Sequence, residues 1–235
     1  SKHYKENLLT LDSVSKERLL FGNWEYLDDP AQLIDYDKIL DSFTNTFVPI
    51  GDSYITCDVA RFGNDSTVIG IWSGFRVRFY QFNGKSVVEV AELINNFATE
   101  HKVPTSNIVC DEDGVGGGVV DILRCKGFVN NSSPLVNPVT RQKENFDNLK
   151  SQCYFKLADM INKAELYIQA DGKQKQTIIQ ELEQVKQKSV DNDMKKGVIP
   201  KDKVKAAIGR SPDFSDCLAM RMFFEYSPRF QVSVF

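Results

Sequence analysis

SYITCDVA, residues 53–60, is the stretch that decides the fold of this chain. Alternation along an extended backbone sends Ile55, Cys57 and Val59 to one face and Tyr54, Thr56 and Asp58 to the other. Both faces are otherwise apolar or β-branched, so the segment reads as a strand inside a sheet. A lone carboxylate in such surroundings is costly unless a cation neutralises it. Downstream, STVIGIWS (66–73) and RVRFYQFN (76–83) repeat the β-branched and aromatic texture, separated by the turn signals RFGND and SGF. Three consecutive antiparallel strands are expected. Two more acids stand in comparable positions, Asp111 in NIVCDEDGVGGG (107–118) and Asp216 in GRSPDFSDCLAM (209–220). Three segments would thus bring carboxylates to one edge of a sheet, the pattern of a two-metal site.

The remaining elements follow from periodicity. Val87, Ala91, Ile94 and Ala98 share a helical face within 86–100, and Asn107–Cys110 forms a short buried strand that ends at Asp111. A glycine-rich turn (Gly114–Gly118) then leads into a helix, and PLVNPV (134–139) reads as a fifth strand. Two amphipathic stripes follow, one through Leu149, Cys153, Leu157 and Ile161, the other through Ile178, Leu182 and Val185. A last helix is expected from Ser211 as N-cap and Pro212 at its first position, which sets Asp213 and Asp216 three apart on one face near the positive helix end. Residues 1–50 carry helical pieces and read as a lead-in arm, with the main domain over 51–235. Three strands, helix, strand, helix, strand and helices is the order of an α/β, ribonuclease H-like mixed sheet flanked by helices on both faces.

Composition narrows the chemistry. At 42 % hydrophobic and 26 % charged, the 235 residues can form one sizeable α/β domain. No apolar run approaches the roughly 20 residues that span a bilayer, and SKHYKENLL has no secretory pattern, so no membrane association is expected. The five cysteines are odd in number and lack CxxC spacing, which predicts reduced core residues rather than disulfides or a zinc ribbon. With His3 and His101 far apart in the sequence, imidazole-based zinc sites and Ser-His-Asp triads have little to be built from. The net charge of −3 is divided unevenly: residues 1–140 are acidic, whereas 141–210 are basic. An acidic pocket beside a basic half suits a phosphodiester substrate.

CDVARFGNDSTVIGIW, VCDEDGVGGGVVDIL and GRSPDFSDCLAM, in this order and spacing, resemble the three acidic motifs of the nuclease domain of the tailed-bacteriophage terminase large subunit, a DNA-packaging motor protein. SKERLLFGNWEYLDD, near the start, resembles the segment that joins the motor ATPase to this nuclease. No GxxxxGK[ST] loop occurs in the sequence, so the resemblance covers the nuclease and not the ATPase. It implies a metal-dependent DNA endonuclease that cuts concatemeric viral DNA in the cytoplasm of the infected bacterial host. Its implied partners are double-stranded DNA, the portal protein, the small terminase subunit and the chain's own ATPase domain.

Hydrolysis of a phosphodiester needs an activated water and a stabilised leaving oxygen, and two divalent ions, Mg²⁺ or Mn²⁺, do both. Hard ions of this kind prefer oxygen donors, which accounts for aspartates in place of His or Cys. Asp58 is the candidate to bridge both ions, with Asp111 and Asp216 each completing one. Asp213 is a further candidate ligand, or simply a helix-start acid. Asp65, in the turn after the first strand, is a candidate nearer the rim, or an ordinary Asn-Asp turn residue. Glu112 and Asp113 compete with Asp111 for the inward direction. Gly114–Gly118 reads as a tight strand-to-helix turn, or as a place where a DNA backbone meets bare amides. For DNA contact the candidates are Lys195, Lys196, Lys201, Lys203, Lys205 and Arg210, with a solvated charge run as the alternative. An extended 201–205 would align its three lysines, whereas a helix would splay them. Two other classes stand beside the enzyme: a non-catalytic DNA- or portal-docking module, and an actin-like ATPase fragment.

Overall fold

The computed structural model describes residues 29–60, 66–189 and 194–227. Its frame is a six-stranded mixed sheet in the order β5-β4-β1-β2-β3-β6, made of β1 (Ser53–Asp58), β2 (Thr67–Ser73), β3 (Arg76–Phe82), β4 (Ile108–Asp111), β5 (Lys126–Phe128) and β6 (Tyr167–Gln169). The first three strands pair antiparallel, with Cys57 opposite Ile69, while β4 runs parallel to β1 with Cys57 beside Cys110. That register aligns the C-terminal ends of β1 and β4, and therefore Asp58 and Asp111, on one edge.

The eight described α-helices are α1 (Tyr36–Asp41), α2 (Val87–Glu100), α3 (Gly116–Leu123), α4 (Leu149–Asn162), α5 (Gly172–Leu182), α6 (Lys201–Ile208), α7 (Asp213–Arg221) and α8 (Phe223–Tyr226). Period-two alternation in β1 divides the core. Ile55, Cys57, Ile69, Ile71, Ile108 and Cys110 face α2 and α3, whereas Tyr54, Val68, Trp72, Val77, Phe79 and Val109 face α4, α5 and α7. Within 29–50, Ile34, Tyr36 and Ile39 are buried in this second half.

Local signals account for several boundaries. Ser86 and Glu89 form a reciprocal capping box that starts α2. Asn148 accepts the Ser151 amide at 2.9 Å and starts α4. The glycine run after β4 answers to sterics: a Cβ on Gly116 would run into the Asp111 carbonyl, and one on Gly118 would crowd Val87. That favours the tight-turn reading of Gly114–Gly118.

Some expectations are corrected. The fifth strand is Lys126–Phe128, not 134–139, where Val136 makes only an isolated bridge to Lys143. The pyrrolidine rings of Pro134 and Pro138 lack N–H donors, so a ladder cannot run through that segment. The last major helix starts at Asp213, with Pro212 in the cap position and Ser211 buried before it. Expectations for residues 1–28 and for Asp65 lie outside the described residues.

Candidate metal centre

Asp58 ends β1 on the face toward α7, and it is 5 % exposed. Strand β1 is held against α7 from the same face. The Thr56 hydroxyl accepts from Trp72 Nε1 at 2.9 Å and lies 3.3 Å from Cys217 Sγ, one residue beyond Asp216. Asp111 ends β4, and Asp216 lies in the first turn of α7. The fold therefore brings the three predicted acids to one edge from three separate elements.

Their partners differ, and so do their proton affinities. Asp216 is the most fully engaged. Its Oδ1 accepts from Lys150 Nζ at 2.6 Å and from the buried Tyr154 hydroxyl at 2.7 Å, and its Oδ2 is 2.9 Å from Lys201 Nζ. Burial alone would raise the Asp216 pKa, but the charges of Lys150 and Lys201 outweigh it and hold the carboxyl below the usual range. Asp111 Oδ1 accepts from the Asp113 amide at 3.1 Å and from Asn130 Nδ2 at 3.2 Å. Its pKa is pushed up to about 6, chiefly by burial and against the Asp113 hydrogen bond.

Asp58 is the least satisfied. Its Oδ2 is buried and has no hydrogen-bond partner among the described residues, and Lys201 Nζ stands 3.7 Å away. Burial raises the Asp58 pKa well above the ordinary value, Lys201 opposes this, and the charges of Asp216, Asp213 and Asp111 add to the rise. Three acids from two other elements thus bear on Asp58. Asp113 turns aside to bind the Asn130 amide, and Glu112 lies against Gly127. Asp111 is accordingly the acid of that triplet that lines the cleft with Asn130, Lys150, Tyr154 and Asp216.

An oxygen-only donor set with an orphaned, buried carboxylate oxygen fits a hard divalent cation. Among the described residues no three acid, thiol or imidazole groups close on a single point by themselves. The Lys201 ammonium occupies the gap between Asp58 and Asp216 and neutralises part of their charge; burial lowers its proton affinity, but the two carboxylates raise it further.

The basic residues fall into three groups. Residues 201–208 form α6, so Lys201 turns into the acid pocket while Lys203 and Lys205 are exposed. Lys195 and Lys196 are also exposed. Arg210 bonds inward: its guanidinium pairs with buried Glu181 and donates to the Thr177 carbonyl at 2.9 Å. Nothing in the sequence reading singled out Tyr154 or Asn130, and Lys150 entered it only as part of the basic stretch 141–210. The one available signal was Lys150 and Tyr154 at i and i+4, polar groups on a helix face otherwise full of core residues.

Comparison with known proteins places these features in a family. The model described as "Terminase RNaseH-like domain" matches residues 55–222. Among curated proteins, no match is found. Among solved structures, the chain is similar to the nuclease domain of the large terminase subunit gp2 of bacterial virus Sf6, at 20 % identity and a TM-score of 0.71, over 84 % of this chain and 100 % of that one. It is also similar to the K428A mutant of that domain with manganese and beta-thujaplicinol (20 % identity, TM-score 0.70, 84 % and 100 % covered) and to the same mutant with calcium (20 %, 0.69, 81 % and 98 %). With more than half of its length matched by the family model and the ribonuclease H-like sheet in place, the chain belongs to the terminase RNaseH-like domain family.

Proposed function

We propose that this chain is the nuclease domain of a phage large terminase, a metal-dependent endodeoxyribonuclease that cuts concatemeric viral DNA during genome packaging by two-metal-ion hydrolysis. The observation that carries the proposal is that Asp58, Asp111 and Asp216 come to one edge of the sheet from three elements, with a buried Asp58 Oδ2 that has no hydrogen-bond partner among the described residues. Family membership supports it, as do the manganese and calcium named with the similar phage nuclease domain.

Divalent ions, Mg²⁺ or Mn²⁺, would supply Lewis acidity toward the phosphoryl oxygens and lower the pKa of an attacking water. Asp58, Asp111 and Asp216 would hold the ions, with Asp58 the candidate for a ligand common to both. Asp213 is the extra candidate, and Asp65 is a further one. Lys150 and Tyr154 keep Asp216 Oδ1 occupied, which fixes the carboxylate's rotation and leaves Oδ2 to face the pocket. Lys201, which pairs with Asp216 Oδ2 and stands 3.7 Å from Asp58 Oδ2, would compete with a cation for these two acids and could meet substrate phosphate instead. Lys195, Lys196, Lys203 and Lys205 are the proposed backbone contacts outside the pocket.

On this reading the substrate is double-stranded DNA, and residues 1–50 lead in from an ATPase that works with the portal protein and the small subunit in the host cytoplasm. Incubating plasmid DNA with the protein and Mn²⁺, beside the Asp58→Ala variant, tests it. Cleavage that disappears in the variant supports the enzyme. An inert wild type, or equal cleavage by both proteins, would leave a DNA- or portal-docking role instead.

A further inference from the structure

Helix α7 carries Asp216, yet it begins in a way that should leave it poorly anchored. The residue in its cap position is Pro212, which makes no side-chain cap. The first amides of a helix have no intrahelical partner, and an uncapped start frays or shifts. Here the amide of Ser215, the residue before Asp216, is bound from another helix: Glu181 of α5 accepts it on Oε2 at 2.7 Å. The other oxygen, Oε1, pairs with Arg210, whose guanidinium also donates to the carbonyls of Thr177 (2.9 Å) and Ser211 (3.3 Å). The Glu181 side chain is fully buried.

A buried carboxylate is an expensive way to join two helices that could have packed with apolar side chains. What it adds is direction. The acceptor fixes Ser215 N–H, the Ser215 hydroxyl lies 3.0 Å from Tyr154 Oη, and Tyr154 donates to Asp216 Oδ1 at 2.7 Å. One end of the acid is thus held through the backbone and the other through its own oxygen.

We propose that Glu181 is a positioning residue for the metal centre, capping α7 from α5 so that Asp213 and Asp216 present their carboxylates to the cation; this rests on the metal-site reading above. Removing outer partners of metal ligands typically costs 10–100-fold in metal affinity. Mn²⁺ affinity is measured by calorimetry on folded wild type, Glu181→Ala, Glu181→Gln and Glu181→Asp, at a temperature well below each variant's melting point. Glutamine keeps an acceptor for Ser215 N–H, whereas aspartate, one methylene shorter, withdraws it. The expected result is Mn²⁺ binding weakened about tenfold or more in the alanine and aspartate variants, and within about threefold of wild type in the glutamine variant. Wild-type affinity in folded Glu181→Ala would overturn the proposal and leave Glu181 a stability residue. If the alanine variant does not fold, the aspartate variant decides on the same criterion. Absence of Mn²⁺ binding in the wild type would instead overturn the metal site itself, and the positioning role with it.

Discussion

Lys201 Nζ lies 2.9 Å from Asp216 Oδ2, so the acid pocket contains its own cation. The same ammonium is 3.7 Å from Asp58 Oδ2, an oxygen with no hydrogen-bond partner among the described residues. Replacing Lys201 with alanine leaves two buried carboxylates facing each other. The metal-free protein should lose on the order of 1–3 kcal/mol of stability, while Mn²⁺, freed from competition, should bind more tightly by up to about tenfold. Urea denaturation in chelator and calorimetric titration check the two halves; weaker Mn²⁺ binding would mean that Lys201 supports the site rather than competing for it.

Asp58→Asn should show the reverse pattern. It removes a buried charge that its surroundings disfavour, so the metal-free protein should gain about 1–2 kcal/mol at pH 7.5. Plasmid cleavage should vanish, as it should in Asp111→Ala and Asp216→Ala. Full activity in any one of these variants, with metal present, removes that residue from the proposed centre.

The pH dependence of stability has a definite sign. Asp58 and Asp111 bind protons more tightly in the folded state, Asp111 with a pKa of about 6, so protonation favours folding. Their contribution is complete below about pH 4 and is lost as pH rises, for Asp111 through about 6. Asp216 acts oppositely: its depressed pKa contributes stability above about pH 4 that is lost as pH falls. In chelator, Asp111→Asn should therefore gain on wild type between pH 4 and pH 7, by on the order of 2 kcal/mol after solvent screening. Denaturation midpoints at both pH values read the difference, and a gap independent of pH would contradict the raised pKa.

Lys203 and Lys205 are exposed on α6, outside the acid pocket. Replacing both with alanine should weaken binding to duplex DNA of any sequence and lower the salt slope by up to about 0.9 for each phosphate that a lysine no longer neutralises. Mn²⁺ binding should be unchanged. An unaltered slope, followed by fluorescence anisotropy across a salt series, would mark the two lysines as solvated surface.

Much of the fold was legible because strands β1 to β3 are short β-branched and aromatic runs separated by turn signals, and helix α2 repeats apolar residues at helical spacing. Asp58, Asp111 and Asp216 were legible for a related reason: each interrupts an apolar segment where a carboxylate has no local partner. The failures have physical causes too. PLVNPV is apolar enough for a strand, but its prolines cannot donate to a ladder. The short strand β5, Lys126–Phe128, has only three residues, too few to show a period.

The sequence by itself determined the α/β class, the central strand and the three acids that stand out from their surroundings, since each is a property of neighbours a few positions apart. Only the tertiary structure decided what surrounds those acids. Lys201 looked like one of three surface lysines, and its helix turned it between Asp58 and Asp216. Arg210, expected at a phosphate, was drawn inward by a glutamate 29 positions away. Lys150, Tyr154 and Asn130 reached the site through chain crossings of 66, 62 and 19 positions. A buried charge selects its partner by proximity in space, and the physics of that choice is written in the packing of helices and strands rather than in local periodicity.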